Sequence, residues 1–470
     1  MRGLHEPLLQ PGRAGPVHPA CTRFRKPVRL PLLAARSSVG SVSDREQTAI
    51  GIGRERQFEV YVAGARGTYP RVPVSSEGLE AAARKAMGPE GFAYVAGGAG
   101  REETMHENRE AFERWRMVPR MLRDVSKRET EVELFGSRLA SPVVLCPIGV
   151  LEMAHADADV AVARAAAAEG LPMIFSNQAS RPMEECARAM GDAPRWFQLY
   201  WSTSNELVAS LVSRAEACGC TAIVLTLDTT MLGWRVRDLD LAYLPFLRGK
   251  GIAQYTSDPV FLEGVQETLR ESPPDTGRVT AAALGSLWAL ARTYPGSTFA
   301  NLRSPAARAA VRRFVETYSR PSLSWDDLGF LRERTRLPIL LKGILHPADA
   351  TAAIEHGMDG IVVSNHGGRQ VDGAIATMDA LPGIVEAVAG RIPVLLDSGV
   401  RSGADVFRAL ALGASAVGLG RPYVWGLAVA GEEGVREVVR NLRADFDLTM
   451  GLAGCRSLRE VDRATVERSA

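Results

Sequence analysis

The apolar residues of this chain fall into short runs that alternate with alanine-rich stretches of helical character. Eight such runs can be recognised, at residues 143–146, 173–175, 196–199, 223–227, 339–342, 361–364, 394–397 and 416–419. Short runs that are apolar on both faces are typical of buried parallel strands, and strands that alternate with helices indicate βα units. Eight successive units predict a (β/α)8 TIM barrel of the α/β class. A doubly wound parallel sheet is the alternative.

Two regions depart from this repeat. Before the first strand, an alanine-rich helix at 78–87 and a highly charged surface helix at 101–116 predict an N-terminal helical segment. The interval between the fourth and fifth strands, residues 228–338, is far longer than a usual connection. Because a long loop above a barrel mouth is usually a lid, we expect a barrel domain over 75–465 with a lid insertion at 236–325.

The long interval also contains apolar side chains near its beginning. Trp234 and the stretch 241–247 are expected to exclude water from the barrel mouth. A stretch rich in Pro, Gly and Ser follows around 271–278 and predicts an irregular loop.

Polar or glycine residues stand at the end of nearly every predicted strand. They are Pro147, Ile148 and Gly149, Ser176, Gln198 and Tyr200, Thr226 and Asp228, Lys342, Ser364 and His366, Asp397 and Gly399, and Gly420 and Arg421. Structural positions alone would mix apolar and turn residues, whereas this row supplies hydrogen-bonding groups on almost every strand. Because the carboxyl ends of barrel strands face one mouth, the row predicts an active site there.

The segment 364–370, SNHGGRQ, carries the most specific chemistry. His366 comes directly after the sixth strand, and two glycines allow a tight turn that delivers Arg369. A neutral imidazole accepts a proton near neutral pH, and an arginine binds a carboxylate through two hydrogen bonds. Together they suit a small acid whose neighbouring hydroxyl group must lose a proton. Arg235 is a candidate for a second carboxylate contact.

The last two strand ends predict a phosphate site. The turns DSGVRSG at 397–403 and GLGRP at 418–422 combine glycines with Arg401 and Arg421. Backbone N–H groups, an arginine and the positive end of the next helix bind phosphate, and barrels often place such a site after strands seven and eight. Lys342 suits the negative edge of a reduced flavin, and Ser176, Gln198 and Thr226 suit its polar edge. A phosphate with a planar hydrogen-bonding ring predicts FMN.

The composition excludes several classes of function. The chain of 470 residues is 46% hydrophobic and 23% charged, with a formal net charge of +2, which indicates a soluble globular protein. So small a net charge provides no general field for nucleic acid or a membrane surface, and no apolar run approaches the roughly 20 residues that span a bilayer. Six scattered cysteines without metal-binding spacing indicate a reduced, cytoplasmic protein without a structural metal.

Residues 1–45 differ from the rest because they are basic, rich in Pro and Ser, and almost free of acidic residues. A transit peptide is one interpretation, but prolines interrupt any amphipathic helix. We interpret the segment as a disordered basic tail or as the result of a start codon assigned too early.

Three motifs resemble the FMN-dependent L-2-hydroxy acid oxidase and dehydrogenase family: SNHGGRQ at 364–370, LDSGVRSGAD at 396–405 and GRPY at 420–423. The resemblance covers roughly residues 75–460. Four further segments are most similar to the lactate 2-monooxygenase branch of that family: SNQAS at 176–180, WFQLYWSTS at 196–204, TLDTTMLGWR at 226–235 and YLPFLRGKGIAQYTSDPVF at 243–261.

The resemblance implies a role for each candidate residue. His366 would be the base and Asp228 its partner, while Arg235 and Arg369 would hold the substrate carboxylate. Tyr94 and Tyr200 would contact the carboxylate or the hydroxyl, although the residues alone favour a buried helix-end position for Tyr94. The flavin would be held by Pro147, Ile148, Gly149, Ser176, Gln198, Thr226, Lys342 and Ser364, and its ribityl phosphate by Asp397, Gly399, Arg401, Gly420 and Arg421.

One pair of residues departs from the pattern of many relatives, which have Thr-Ala where this chain has Ile148 and Gly149. Ile148 keeps only its backbone contacts to the flavin, and Gly149 adds space beside the reactive ring atom, as in the monooxygenase branch.

The resemblance implies oxidation of a short L-2-hydroxy acid, L-lactate first, with oxygen and decarboxylation to acetate, in a homotetramer or homo-octamer. An oxidase that releases ketoacid and hydrogen peroxide, and a dehydrogenase with another electron acceptor, are the alternatives. Hydride and carbanion routes both remain open. A flavin-binding barrel without turnover is disfavoured because His366, Asp228 and Arg369 are all present.

Overall fold

The structure, a computed structural model, describes residues 51–271 and 281–469. The predicted tail at 1–45 and most of the stretch at 271–278 lie outside the described residues. The strands within the described part are β1 (Trp115–Met117), β2 (Val132–Leu134), β3 (Ser137–Leu139), β4 (Val143–Leu145), β5 (Met173–Phe175), β6 (Arg195–Leu199), β7 (Ile223–Thr226), β8 (Ile339–Ile344), β9 (Gly360–Val363), β10 (Val394–Leu396), β11 (Ala416–Leu419) and β12 (Val466–Arg468).

The predicted barrel is confirmed. Strands β4 to β11 close into a parallel barrel in the order β10–β11–β4–β5–β6–β7–β8–β9, and they coincide with the eight apolar runs of the sequence. The register of the strands brings candidate site residues side by side, since Thr226 on β7 pairs with Lys342 on β8.

Helices surround the barrel and precede it. Their bounds are α1 (Ile52–Ala65), α2 (Ser76–Ala86), α3 (Pro89–Ala96), α4 (Glu103–Glu113), α5 (Ala158–Ala168), α6 (Met183–Met190), α7 (Asn205–Ala217), α8 (Val236–Asp240), α9 (Ala253–Thr256), α10 (Pro259–Glu271), α11 (Ala281–Thr293), α12 (Thr298–Arg303), α13 (Ala306–Thr317), α14 (Leu328–Arg334), α15 (Pro347–Glu355), α16 (Thr377–Val388), α17 (Gly403–Ala411) and α18 (Arg421–Ala453). Helix α18 is kinked at Ala430 and Gly431.

The predicted N-terminal helical segment is present as α2, α3 and α4. Helix α4 is shorter than the predicted 101–116 because β1 begins at Trp115 and pairs antiparallel with β12 near the other end of the chain. Helix α4 is not a surface helix on all sides, because Thr104, Asn108 and Phe112 on one face are buried.

The barrel interior is filled by one apolar layer at its amino-terminal end. Its members point inward from successive strands: Val144, Ile174, Trp196, Val224, Leu340, Val362 and Leu395. The antiparallel hairpin of β2 and β3 closes this end, because Leu134 and Leu139 pack into the same cluster and the Phe135 ring meets Trp196 edge-on at 5.4 Å between centroids. The sequence analysis did not predict this hairpin.

The interval between β7 and β8 is mostly helical, whereas a loop was expected. Its described residues contain α8 to α14, and an aromatic core of Tyr255, Phe261 and Phe314 joins α9, α10 and α13. Helix α10 packs on α7 of the barrel as well as on α13. The insertion therefore has a packed interior of its own, which short apolar runs interrupted by Gly and Pro do not reveal.

We predict that Leu139→Ala lowers the free energy of unfolding by about 2–5 kcal/mol, because it leaves a cavity in the closed end of the barrel. Leu139 has no exposed surface. Urea unfolding followed by far-UV circular dichroism measures the change. Leu452→Ala on α18, where the side chain is 75% exposed, is the control and should stay within about 0.5 kcal/mol of the unchanged protein. Equal effects of the two substitutions would contradict the closing role of the hairpin.

Candidate active site

A cavity lies at the carboxyl-terminal mouth of the barrel and gathers most of the predicted site residues. Fifteen of them line it: Tyr94, Pro147, Ile148, Gly149, Ser176, Tyr200, Arg235, Lys342, His366, Arg369, Asp397, Gly399, Arg401, Gly420 and Arg421. The remaining four, Asp228, Gln198, Thr226 and Ser364, lie directly behind these residues and are hydrogen-bonded to them or to one another.

The floor of the cavity is a second layer of inward-pointing side chains. Because successive strand residues alternate between the two faces, each residue two positions beyond the apolar layer also faces inward. These residues are Cys146, Ser176, Gln198, Thr226, Lys342, Ser364, Asp397 and Gly418. Gln198 accepts a hydrogen bond from Ser176 Oγ (3.2 Å) and donates one to Thr226 Oγ1 (3.1 Å). The side chains in the barrel interior thus change from apolar in the first layer to mostly polar in the next.

His366 and Asp228 form a close pair. The distance from His366 Nδ1 to Asp228 Oδ1 is 2.7 Å, and Thr229 Oγ1 donates to the same carboxylate oxygen at 2.9 Å. When Nδ1 carries a proton and donates to Asp228, Nε2 is left as an acceptor facing the cavity. Burial lowers the pKa of His366 although Asp228 opposes this shift, so the imidazole is neutral at pH 7. Such a pair can accept a proton from a bound hydroxyl group.

The backbone of His366 is itself unusual. Its φ of 58° lies in the left-handed region, which histidine rarely adopts. The peptide N–H of His366 donates to Ser364 Oγ at 3.1 Å, and that of Gly367 donates to Ser398 Oγ at 2.9 Å. These two bonds hold the turn that directs the imidazole towards Asp228.

Lys342 is buried on β8 between acidic side chains. Its Nζ lies 2.7 Å from Ser364 Oγ, 3.3 Å from Asp228 Oδ2 and 3.4 Å from Asp397 Oδ2. Burial alone would lower the pKa of Lys342, but Asp228 and Asp397 outweigh it and raise the pKa. Lys342 is therefore a permanent positive charge on the cavity floor.

Two arginines share one aromatic ring at the side of the cavity. The guanidinium carbons of Arg369 and Arg235 lie 5.0 and 6.0 Å from the centroid of the Tyr94 ring. Arg369 Nη1 donates to the carbonyl oxygens of Tyr94 (2.5 Å) and Gly97 (2.8 Å), and Arg235 Nη2 donates to Gln370 Oε1 (2.9 Å). Burial and the neighbouring Arg235 lower the pKa of Arg369 to about 10. Tyr94 is thus a buried helix-end residue and a cavity residue at once.

Arg401 and Arg421 mark the other end of the cavity. Arg421 donates to the carbonyl oxygens of Val95 (2.9 Å), Gly97 (3.0 Å) and Gly367 (3.0 Å), and burial holds its pKa well below the usual range. Burial and the neighbouring Arg109 lower the pKa of Arg401 to about 10. Two half-buried cations whose proximity disfavours their charged forms suit a dianion. The residues present therefore fit the phosphate of the predicted cofactor.

The glycine of the seventh strand end allows a close approach of backbone segments. Gly399 has φ of 110°, and a Cβ built there would lie 2.7 Å from the carbonyl oxygen of Asn108 on α4. Arg109, the next residue on α4, donates to the carbonyl oxygen of Gly399 and to Asp405 Oδ2 (2.9 Å). Helix α4 thereby supports the arginine end of the cavity.

Several cavity residues were not assigned to the site from the sequence, although Phe246 belongs to the stretch 241–247 that was expected at the barrel mouth. They are Val95, Cys146, Gln178, Thr229, Leu232, Phe246, Tyr318, Gly367, Ser398, Val400 and Gly418. Gln178 and Thr229 follow β5 and β7 closely, so strand-end position was a usable signal for them. Phe246 and Tyr318 come from the insertion, where nothing in the sequence distinguishes cavity aromatics from core aromatics.

The expectation that Trp234 excludes water from the cavity is wrong for the single chain. Its side chain is 72% exposed and does not line the cavity, because the preceding Gly233 packs against the backbone of Arg369 and Gln370 and turns the chain outward. Of the stretch 241–247, which was expected to act with Trp234, Phe246 does line the cavity, and Leu232 lines it as well.

Neither a metal site nor a membrane span is found within residues 51–271 and 281–469. No group of three or more His, Cys, Asp and Glu side chains there could hold a metal ion. No helix of this part is long and apolar enough to cross a membrane.

The FMN-dependent dehydrogenase family matches residues 83–468 of the chain. The L-lactate oxidase of Lysinibacillus sphaericus (strain C3-41) is 40% identical over 397 residues, which cover 84% of this chain and 93% of that protein. The glycolate oxidase of Spinacia oleracea is 39% identical over 389 residues, which cover 82% and 94%. A crystal structure of mandelate oxidase with (S)-4-hydroxymandelic acid superimposes with a TM-score of 0.70 at 36% identity, over 85% of this chain and all of that one.

The match extends over the barrel, the flanking helices and the cavity at the strand ends. The chain belongs to the FMN-dependent dehydrogenase family and is an FMN-dependent 2-hydroxy acid oxidoreductase.

Proposed function

We propose that the protein oxidises a short L-2-hydroxy acid, L-lactate first among them, with oxygen, and that the ketoacid is decarboxylated to acetate before release. The single observation that carries the reaction is the His366–Asp228 pair beside Arg235 and Arg369 in one cavity. The overall change balances as lactate plus O2 to acetate, CO2 and water.

The two arginines supply the binding of the substrate carboxylate. Each guanidinium donates some of its N–H groups to protein acceptors. Others are available for a ligand, because an arginine carries five N–H groups. A carboxylate held between Arg235 and Arg369 would place the adjacent hydroxyl group towards His366, and Tyr94 and Tyr200 would contact it. The net positive charge of the pair also explains selection of an acid over a neutral alcohol.

His366 then accepts the hydroxyl proton at Nε2. Asp228 stabilises the imidazolium that forms, because its carboxylate is buried and already bonded to Nδ1. Burial alone would raise the pKa of Asp228, but His366 and Lys342 outweigh it and hold the pKa well below the usual range. Asp228 therefore stays ionised while His366 gains its proton.

FMN would supply the redox chemistry by taking up the hydrogen and electrons of the substrate Cα–H bond and passing the electrons to oxygen. Arg401 and Arg421 would hold its phosphate, together with the backbone at Gly399 and Gly420. The floor residues Ser176, Gln198, Thr226, Lys342 and Ser364, with the backbone of Pro147, Ile148 and Gly149, would hold the ring. Asp397 lies beside Lys342 rather than beside the two arginines, which suits a ribityl hydroxyl better than the phosphate itself.

The fate of the ketoacid would depend on the cavity walls. Gly149 was expected to add space beside the reactive ring atom, but a Cβ built there would lie 2.5 Å from the carbonyl oxygen of Gln178, so the two walls meet closely and this position is not open. Leu232, Phe246 and Tyr318 narrow the cavity from the insertion side. A narrow, water-poor cavity favours retention of pyruvate until peroxide forms beside it, and peroxide attack on its carbonyl carbon releases CO2.

The runner-up is an oxidase that releases pyruvate and peroxide, and it is favoured by the oxidase names of the relatives at 39–40% identity. A dehydrogenase that passes electrons to another acceptor is the third candidate. The chemistry at His366 is the same in all three, so only the products distinguish them.

Assembly and location are part of the proposal. A homotetramer or homo-octamer is supported by the family resemblance and by exposed Met231, Trp234 and Val371 on two adjacent segments at the cavity mouth. A cytoplasmic location is supported by the cysteine usage of the sequence.

We predict that Arg401→Gln weakens FMN binding by about tenfold to a hundredfold, the usual loss for a hydrogen bond to a charged group. Titration of the apoprotein with FMN by fluorescence quenching measures this change. Riboflavin, which lacks the phosphate, is the control ligand, and its affinity should change much less. A similar loss for both ligands would place the arginine away from the phosphate.

We predict that His366→Gln keeps FMN but slows its reduction by lactate about 10²-fold or more, because a positioned base is lost. Anaerobic stopped-flow absorbance measures the rate. In the unchanged enzyme kcat/KM should fall as the pH drops below the ordinary histidine value of 6.5, since an imidazolium cannot accept the proton. Near-normal reduction in the variant would assign the base to another group.

We predict that Gly149→Ala shifts the aerobic products of lactate from acetate towards pyruvate and peroxide. The added methyl group displaces Gln178 and so opens or distorts the wall that retains the ketoacid. Gly285→Ala on α11, where a methyl group meets no atom within 4 Å, is the matched control. Quantification of acetate, pyruvate and peroxide decides, and stoichiometric pyruvate and peroxide from the unchanged enzyme would rule out the monooxygenase in favour of the oxidase.

A further inference from the structure

The cavity floor contains one cation between two carboxylates, and one of these carboxylates also serves the base. Asp228 directs Oδ1 to His366 Nδ1 at 2.7 Å and Oδ2 to Lys342 Nζ at 3.3 Å. Asp397 directs Oδ2 to the same Lys342 Nζ at 3.4 Å but is not bonded to His366. The two acids therefore have different neighbours although they flank the same lysine.

This arrangement leaves the floor with one unit of negative charge while His366 is neutral. Lys342 supplies one positive charge, and Asp228 and Asp397 supply two negative ones. All three side chains are at least 90% buried, so a change of charge here is poorly screened by water. A charge added to one of these side chains therefore changes the electrostatic potential at the other two.

The oxidation of a hydroxy acid changes the charge at two points at once. The hydroxyl proton adds one positive charge at His366. Loss of the Cα hydrogen with two electrons, which bound FMN would take up, would add one negative charge beside Lys342. The total charge of substrate, base and cofactor is conserved, but positive charge is gained at His366 and negative charge at the cofactor.

We propose that Asp228 is a shared counter-ion that couples the protonation of His366 to the charge which Lys342 presents to reduced FMN. As His366 becomes an imidazolium, Asp228 interacts more strongly with His366 and less strongly with Lys342. The positive charge of Lys342 is then balanced mainly by Asp397. This positive charge then stabilises the electrons arriving on FMN. The proposal rests on the base role of His366 in the proposed function, and it makes Asp397 a positioning residue for Lys342 but not for His366.

The charged and titratable groups around this pair come from several elements. Asp228, Lys342 and Arg235 act on His366 from the ends of β7 and β8 and from the start of the insertion. Tyr200 after β6 and Cys146 after β4 also act on Lys342. Burial raises the pKa of Tyr200 to about 12 and that of Cys146 well above its usual range, so both stay neutral while His366 titrates.

The test is a redox titration of the holoenzyme across the pH range 5 to 9 with dyes of known potential. In the unchanged enzyme, reduction should draw one additional proton over part of this range, which adds about 30 mV per pH unit for a two-electron couple. His366→Gln should remove this additional slope but leave the midpoint potential at high pH unchanged, because glutamine and neutral histidine carry the same charge.

Asp228→Asn should do two things that no other variant combines. It should remove the additional slope, and it should raise the high-pH potential by about 30 mV or more, a tenfold change in the reduction equilibrium. Asp397→Asn should raise the potential at every pH and keep the slope. An unchanged high-pH potential in Asp228→Asn, or loss of the slope in Asp397→Asn, would overturn the proposal.

A second measurement does not depend on reduction. The His366 signal of the oxidised holoenzyme, labelled with carbon-13 histidine and assigned by its absence in His366→Gln, reports the pKa of His366 directly. In Asp397→Asn, Lys342 should bind Asp228 more strongly and the pKa of His366 should fall. An unchanged titration curve would contradict the coupling, whereas normal lactate turnover by His366→Gln would contradict only the base role.

Discussion

The site depends on how buried charges are balanced at the barrel mouth. Acids on the floor, Asp228 and Asp397, outnumber the single floor cation Lys342, while the walls hold Arg235, Arg369, Arg401 and Arg421. Buried charges are tolerated only when paired, and the lowered pKa values of three of these arginines indicate that protein acids do not fully pair them. The carboxylate of the proposed substrate and the phosphate of FMN would together complete the balance.

The same balance explains why the polar layer stands where it does. Strand residues two positions apart share a face, so one strand supplies an apolar side chain to the interior and a polar one to the floor. The hairpin of β2 and β3 closes the apolar end and keeps water from beneath Lys342. Water can therefore reach the floor only from the mouth. A ligand bound at the mouth would displace this water.

The sequence predicted the eight barrel strands because each is a short apolar run between helices, and most site residues followed from their position at a strand end. It did not predict the Phe135 hairpin, whose strands are only three residues long, nor the helices of the insertion, whose apolar residues form a core known only from tertiary contacts. The sequence did not show that Gln198, Thr226 and Ser364 are hydrogen-bonded to one another or to Ser176 and Lys342 in the cavity floor, because these bonds depend on the strand register.

In the proposed function, different parts of the molecule would control the reaction and its products. The barrel floor and the His366 turn would carry proton and electron transfer, whereas Phe246 and Tyr318 of the insertion line one wall of the cavity. Phe246 and Tyr318 both contact Phe314, at 5.2 and 5.1 Å between ring centroids, and Phe314 packs on Tyr255 in the core of the insertion. Displacing Phe246 and Tyr318 would therefore disturb a packed aromatic cluster. Opening of the cavity at this wall should then be slower than the rotation of a single side chain. Slow opening favours chemistry on a retained ketoacid, so the insertion core can set the product without touching the reacting atoms.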